Sequence, residues 1–269
     1  VEGAVTEHSI LSVLDTPLVH QAIFYPRPAL GEQEGDDRNL FFDVEPGIRI
    51  GCRLYQAGKT FPTILYFHGN GEIATDYDDI APLYLEKGMN LFVIDYRGYG
   101  FSTGTPSIAS MLDDARVVFG KARTWLTANG FHGLLVVMGR SLGSLCATEV
   151  AKESQAHIDG LIIESGSGTN FRNYLDLCGV LSAGHPVWEK SQGFFSKDKV
   201  RVITKPTLII HAEFDSLIPV EEAKVLYEHA ASPQKKLVII PGADHNDLMY
   251  TGMELYFNSI TEFVKSLKQ

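Results

Sequence analysis

Leu134-Leu135-Val136-Val137-Met138-Gly139-Arg140-Ser141-Leu142-Gly143 is an apolar run that stops at a glycine and resumes almost at once as a helical pattern carrying Leu145, Ala147 and Ala151. A continuous apolar run of this length is the signature of a strand buried on both faces. With no residues to spare for a loop, the chain must turn from strand to helix in a tight corner. The glycines two before and two after Ser141 let the neighbouring backbones approach without Cβ clashes. Such a corner lifts the serine above the sheet end and aims the Leu142 amide, with the positive end of the helix, into the same space. The same spacing recurs at Gly100-Phe101-Ser102-Thr103-Gly104. There a polar loop, 95–100, precedes and Thr105-Pro106 follows, so Ser102 is expected to be a turn residue.

Working outward, 41–44 and 48–55 read as a hairpin across Pro46-Gly47. Apolar runs at 63–67, 90–95, 160–164, 206–211 and 236–240 join 134–138 to make about eight strands. Helical periods are expected over 73–87, 108–129, 142–152, 220–231 and 247–267. This alternation predicts a mostly parallel sheet with helices on both faces. The exception is 165–204, some 40 residues rich in Gly, Phe and Lys, which reads as a cap inserted over the strand ends. Neither a repeat nor a polar linker divides the 269 residues, so a single domain, 1–269, is expected.

Composition narrows the function. With 45% hydrophobic and 21% charged residues the chain can bury a large core, and a net charge of −10 disfavours nucleic acid and anionic lipid. Cys52, Cys146 and Cys178 are odd in number and widely spaced, which suits a reducing compartment and predicts a cytoplasmic protein. The chain begins at Val1, so a removed leader stays open. No apolar run is long enough for a transmembrane segment. No metal-binding spacing occurs, and no cofactor is expected.

A serine hydroxyl attacks only when a neutral imidazole takes its proton and a carboxylate orients that imidazole. His245 lies in Pro241-Gly242-Ala243-Asp244-His245-Asn246-Asp247, a polar loop at the carboxyl end of the last strand, where open α/β sheets place their sites. His68 and His211 end strands and are expected to bond locally. Asp215 follows the strand 206–211 and is the expected acid, with Glu213, Glu164, Asp244 and Asp247 as rivals. Ser141, Asp215 and His245 then run in the order nucleophile, acid, base. A second backbone donor is expected from the turn after 63–67, at Asn70 between Gly69 and Gly71, to act with Leu142 as an oxyanion hole.

On these residues the chain resembles the α/β-hydrolase superfamily, and most of all the branch of depalmitoylating thioesterases and bacterial esterases. The resemblance is carried by 24–28, His68-Gly69-Asn70-Gly71, 95–100, the Ser141 corner, 206–219 around Asp215 and 242–247. It implies the α/β-hydrolase fold with a short cap, amides of Asn70 and Leu142 as oxyanion donors, and hydrolysis of a carboxylic ester or thioester through an acyl-enzyme on Ser141. Two departures stand out: Ala212 where glycine is common, and Glu72 beside the oxyanion turn, where a carboxyl would repel anionic acyl groups or assist a proton. The N-terminal cysteine cluster by which depalmitoylating members anchor to lipid has no counterpart before Cys52. Phe171, Tyr174 and Trp188 of the cap are expected to line a substrate pocket, and the cap lysines 190, 197 and 199 to be solvated.

Two other readings compete. Gly69-x-Gly71-x-x-Ala74 after a strand, with Asp95 ending the next, also fits a dinucleotide-binding turn. A binding protein that kept the fold without the chemistry is the other. Neither accounts for Ser141, Asp215 and His245 together.

Overall fold

The computed structural model describes residues 8–31, 35–169, 171–190 and 194–267. The expected hairpin opens the sheet. Strands β1 (Asn39–Glu45) and β2 (Ile48–Tyr55) pair antiparallel, and Gly47 makes the turn at φ +80°. β2 pairs antiparallel with β4 (Asn90–Ile94). All remaining neighbours are parallel: β3 (Thr63–Phe67), β5 (Leu135–Arg140), β6 (Gly160–Glu164), β7 (Thr207–Ala212) and β8 (Lys235–Ile240). The order is β1-β2-β4-β3-β5-β6-β7-β8, the eight-stranded, mostly parallel sheet expected of an α/β-hydrolase. Chain progression reverses at β3, with β4 on one side and β5 on the other. The loops leaving β3 and β5 therefore diverge and open a crevice between them.

Alternate residues of the same strands face two separate apolar clusters. Leu65, Phe67, Val137, Leu161 and Ile163 pack on one face, and Ile64, Tyr66, Val136, Met138 and Ile162 on the other. This is the period of two of a pleated strand buried twice. Each fully buried aliphatic side chain contributes about 1.5–3 kcal/mol, and the strands read as continuous apolar runs because neither face meets water.

Ahead of the sheet lie two short helices beyond the elements expected from the sequence, α1 (His8–Leu14) and α2 (Pro17–Ile23). Thr16 caps α2 and Pro17 starts it, a legible start signal. The helix expected over 73–87 is instead a 3₁₀ turn, Ala74–Asp78, followed by α3 (Ala81–Glu86). Its first amides are tied off by side chains: Ile73 N–H donates to Asp76 (3.0 Å) and Ala74 N–H to Asp95 (2.8 Å). α4 (Ile108–Ala128) and α5 (Gly143–Glu153) form much as expected.

In the cap, α6 (Phe171–Leu177), a 3₁₀ turn (Pro186–Lys190) and α7 (Ser196–Val200) follow β6. Positions 170 and 191–193 of the expected insertion, and the side chain of Lys190, lie outside the described residues. α8 (Val220–His229) follows β7. The helix expected over 247–267 is divided at Gly252 into α9 (Leu248–Thr251) and α10 (Met253–Ser266). A Cβ at Gly252 would sit 2.1 Å from the Ile240 side chain, so the break is where the chain crosses β8 most closely. Lys199, expected to be solvated, is buried: its Nζ lies 2.7 Å from Glu149 and ties α7 to α5. No helix among the described residues is long and apolar enough to cross a membrane.

Candidate active site

Ser141 stands between β5 and α5 with φ +50°, in the left-handed region that residues with side chains seldom adopt. The corner leaves no alternative to its glycines. A Cβ on Gly139 would lie 2.3 Å from the Gly143 carbonyl oxygen, and one on Gly143 would lie 2.2 Å from that of Phe67. The strained turn is tied on both sides. The Ser141 amide donates to the Glu164 carbonyl (2.9 Å), and its own carbonyl accepts from the Ser144 hydroxyl (2.6 Å). Ser102 has none of this setting. Its Oγ accepts from the Gly51 amide at 2.9 Å and closes a turn against β2.

The loops after β7 and β8 bring two more side chains to the corner. His245 Nε2 is 3.0 Å from Ser141 Oγ, and its Nδ1 is 2.8 Å from Asp215 Oδ2. With Nδ1–H facing the carboxylate, Nε2 is left as the acceptor. Asp215 is held as well as placed, since its Oδ1 accepts from the amides of Leu217 (3.0 Å) and Ile218 (2.7 Å). Burial would raise its pKa. The hydrogen bonds from His245 and Ile218 and the neighbouring imidazoles outweigh that, and its carboxyl lies below the usual carboxylate value.

The rival acids are occupied elsewhere. Glu213 accepts from the Gly242 amide, Asp244 from Ser216 and the His245 amide, and Asp247 from the Asp244 amide. Glu164 accepts from the hydroxyls of Tyr66 and Tyr256.

Sequence reasoning passed over a second imidazole at this carboxylate. His211, at the end of β7, has Nε2 2.8 Å from the Ile218 carbonyl and 3.3 Å from Asp215 Oδ2. It bonds locally, as expected of a strand end, and burial pushes its pKa down. No signal in the linear sequence marks it as a neighbour of Asp215 beyond its position four residues before it.

The turn after β3 carries Asn70, whose side chain is held by three hydrogen bonds. Oδ1 accepts from the Tyr25 amide (3.1 Å) and the Tyr99 hydroxyl (2.7 Å), and Nδ2 donates to the Ile23 carbonyl. No acceptor among the described residues takes the backbone amide of Asn70 or of Leu142. Both residues line, with Ser141 and His245, a cleft of about 150 Å³ walled by Ile23, Leu145, Phe171, Tyr174, Phe195, Leu217 and Ile218. Phe171 and Tyr174 are therefore at the cleft. Trp188 is not among its lining residues: its indole donates to the Ser182 carbonyl (2.9 Å) and its ring packs near Phe195. Ile23 comes from α2, outside the segments read from sequence.

Glu72 does not line this cleft either. It belongs to a second cavity of about 250 Å³ that shares His245 and is walled by Arg140, Glu164 and the tyrosines 66, 77, 84, 250 and 256. The dinucleotide reading fails on the same turn. Asp95, which would have to meet a ribose, is 3% exposed and accepts from the Ala74 amide, and only a 3₁₀ turn follows where a helix N-terminus would hold a pyrophosphate. Among the described residues no cluster of side chains has the makings of a metal site.

The chain is similar to known proteins over most of its length. The chain is 30% identical over 215 residues to protein bem46 of Schizosaccharomyces pombe, covering 78% of this chain and 69% of that one. It is 30% identical over 226 residues to lysophosphatidylserine lipase ABHD12 of Xenopus tropicalis, covering 73% and 54%. Among solved structures, the esterase Pf2001 of Pyrococcus furiosus superposes with a TM-score of 0.71 over 90% of this chain and 98% of that one, at 20% identity. A family model described as serine aminopeptidase, S33, matches residues 58–182 and 194–249, spanning the Asn70 turn, the Ser141 corner, Asp215 and His245, and the chain belongs to this α/β-hydrolase family.

Proposed function

We propose that the protein is a serine hydrolase that cleaves a carboxylic ester or thioester through an acyl-enzyme on Ser141. The observation that carries this reading is the line of contacts from Ser141 Oγ through His245 to Asp215, at 3.0 and 2.8 Å, on a serine held at φ +50°. His245 Nε2 takes the hydroxyl proton as Oγ attacks the substrate carbonyl. The amides of Asn70 and Leu142 hold the oxyanion, and the same proton passes to the departing alkoxide or thiolate. Water then attacks the acyl-enzyme by the reverse roles, releasing the acid and restoring Ser141. Asp215 keeps the imidazole in the required tautomer and stabilises its charged form.

The cleft favours an uncharged acyl group. Among the described residues that line it there is no carboxylate, lysine or arginine, and beside His245, Tyr174, Asn70 and three serines its walls are aliphatic and aromatic. An aminopeptidase substrate would bring a free ammonium, and among the described residues no carboxylate lines the cleft to receive one. The names of the relatives, an esterase and a lysophospholipid lipase, point the same way.

The test is labelling with a fluorophosphonate and turnover of p-nitrophenyl esters and acyl thioesters of graded length. Wild type labels and hydrolyses. Ser141→Ala abolishes labelling and lowers kcat by about 10⁴-fold or more. Retention of near-normal turnover by Ser141→Ala refutes the assignment.

A further inference from the structure

We propose that the ion pair Arg140–Glu72 is the positioning device of this site, locking the oxyanion turn and the His245 loop onto the Ser141 corner; the proposal rests on the hydrolase reading above. Arg140 is the residue immediately before Ser141. Its guanidinium pairs through Nη1 with Glu72 Oε1, and Nη2 donates to the backbone carbonyl of His245 itself at 2.8 Å and to Asn246 Oδ1 at 3.4 Å. Nε lies 3.4 Å from Glu164 Oε1. The other oxygen of Glu72 accepts from the Gly69 amide (3.0 Å) and the Tyr77 hydroxyl (2.6 Å). One pair thus joins the chain ends leaving β3, β5 and β8, which carry Asn70, Ser141 and His245.

Gly69 supplies an independent sign that the turn is built around this pair. It is not among the glycines with positive φ, so backbone freedom is not what requires glycine there. What a side chain at 69 would meet is the pair: its Cβ would lie 2.4 Å from Arg140 Nη1 and 2.6 Å from Glu72 Oε1. The glycine before Asn70 is the space that the ion pair occupies.

The chemistry suits the task. A planar guanidinium reaches three acceptors at fixed angles, which a lysine ammonium on a flexible stem cannot do. Both groups are largely removed from water, and each keeps the other charged. Burial would raise the Glu72 pKa, yet the charge of Arg140 and the bonds from Tyr77 and Gly69 leave it below the usual carboxylate value. Burial likewise opposes the Arg140 charge, and the carboxylates of Glu72 and Glu164 more than restore it. An oxyanion donor or base displaced by about 1 Å loses on the order of 10²-fold in rate, so a strut that fixes both is worth that much without touching substrate.

The test compares wild type with Arg140→Gln, Arg140→Lys, Glu72→Gln and the double variant Arg140→Gln/Glu72→Gln, each checked for folding by circular dichroism. Readouts are kcat and KM for p-nitrophenyl butyrate and the rate of fluorophosphonate labelling. Arg140→Gln is expected to lose about 10²-fold in kcat with KM within about threefold, labelling slowing in step. Arg140→Lys recovers less than about a tenth of the loss. The double variant is at most about threefold slower than Arg140→Gln, because the two act as one unit.

Folded Arg140→Gln with kcat within twofold of wild type, a loss confined to KM, or full multiplication of the two effects overturns the proposal. Should Arg140→Gln not fold, Glu72→Gln, which keeps an acceptor for Gly69 and Tyr77, still decides. About a tenfold fall in kcat supports the strut, and an unchanged rate refutes it. Wild type that neither labels nor hydrolyses ends the hydrolase reading and this one with it, whereas active wild type beside equally active variants refutes the strut alone.

Discussion

Two cavities meet at His245, and their walls are chemical opposites. The cleft that holds Ser141 is lined mostly by aliphatic and aromatic side chains, and among the described residues no acceptor takes the amides that would face a substrate. The cavity on the other side is lined by Glu72, Glu164, Arg140 and tyrosine hydroxyls, and its buried polar groups pair with one another: Tyr66 and Tyr256 with Glu164, Tyr77 with Glu72, Tyr84 with Tyr256. Among the described residues, carboxylates and guanidinium groups line not the cleft where a ligand would enter but the cavity where their internal pairing can hold the loops. A low-dielectric wall strengthens the proton relay on one side, and satisfied ions stiffen its supports on the other.

The comparison can be broken most directly from the cleft side. Leu217 lines it while remaining 53% exposed, so Leu217→Asp changes the cleft without opening a core cavity. A carboxylate there is expected to raise KM for a hexanoyl p-nitrophenyl ester about tenfold or more, equivalent to about 1.4 kcal/mol, with kcat at pH 8 within a few-fold. Steady-state kinetics check it, and an unchanged KM means that the acyl group lies elsewhere.

The opposite cavity should respond in stability and not in rate. Tyr256→Phe deletes the hydroxyl that donates to Glu164 at 2.8 Å, leaving a buried carboxylate short of a donor at a cost of about 1–3 kcal/mol. Urea denaturation should register that loss while kcat stays within twofold. A fall in kcat as large as that of Arg140→Gln would erase the distinction between the Glu164 end of the cavity and the Arg140–Glu72 end.

The smallest expected effect is one of pH. Burial lowers the pKa of His211 below the usual imidazole value of 6.5. In the unfolded chain the ring takes a proton as the pH falls through 6.5, while in the folded chain it resists. The unfolded state then binds more protons, so this contribution to stability is complete above pH 6.5 and is lost as the pH falls toward the lowered folded value. His211→Gln is therefore expected to be less destabilised relative to wild type at pH 5.5 than at pH 7.5, measured by denaturant titration at both. A penalty that grows on acidification would mean that His211 is charged in the fold.

Much of the architecture is legible along the chain, for a local reason. A strand buried on both faces must be apolar at every position, so β3, β5, β6 and β7 stand out as runs. The corner at Ser141 stands out because only glycine tolerates the contacts at 139 and 143. Where the reading missed, distant partners had intervened. The expected helix over 73–87 is divided into a 3₁₀ turn and α3, and the amide of Ala74 at its start is taken by Asp95, 21 residues on. Lys199 reads as a surface lysine until Glu149, on another helix, is found 2.7 Å from it. Trp188 reads as a substrate contact and packs within the cap. The Thr16-Pro17 signal of α2 was present in the sequence and simply short.

By itself the amino-acid sequence determined the alternation of buried strands and amphipathic helices, the serine corner, and the order of Ser141, Asp215 and His245, because periodicity and steric exclusion act between near neighbours. The tertiary structure alone decided that Glu72 faces Arg140 and not a substrate, that His211 shares the carboxylate of Asp215, and that α2 supplies a wall of the cleft. The two side-chain pairings join residues 4 and 68 positions apart, and for the distant one no local rule limits the choice among several acids and bases. Only the register of the sheet and the packing of its loops brings one particular pair within reach.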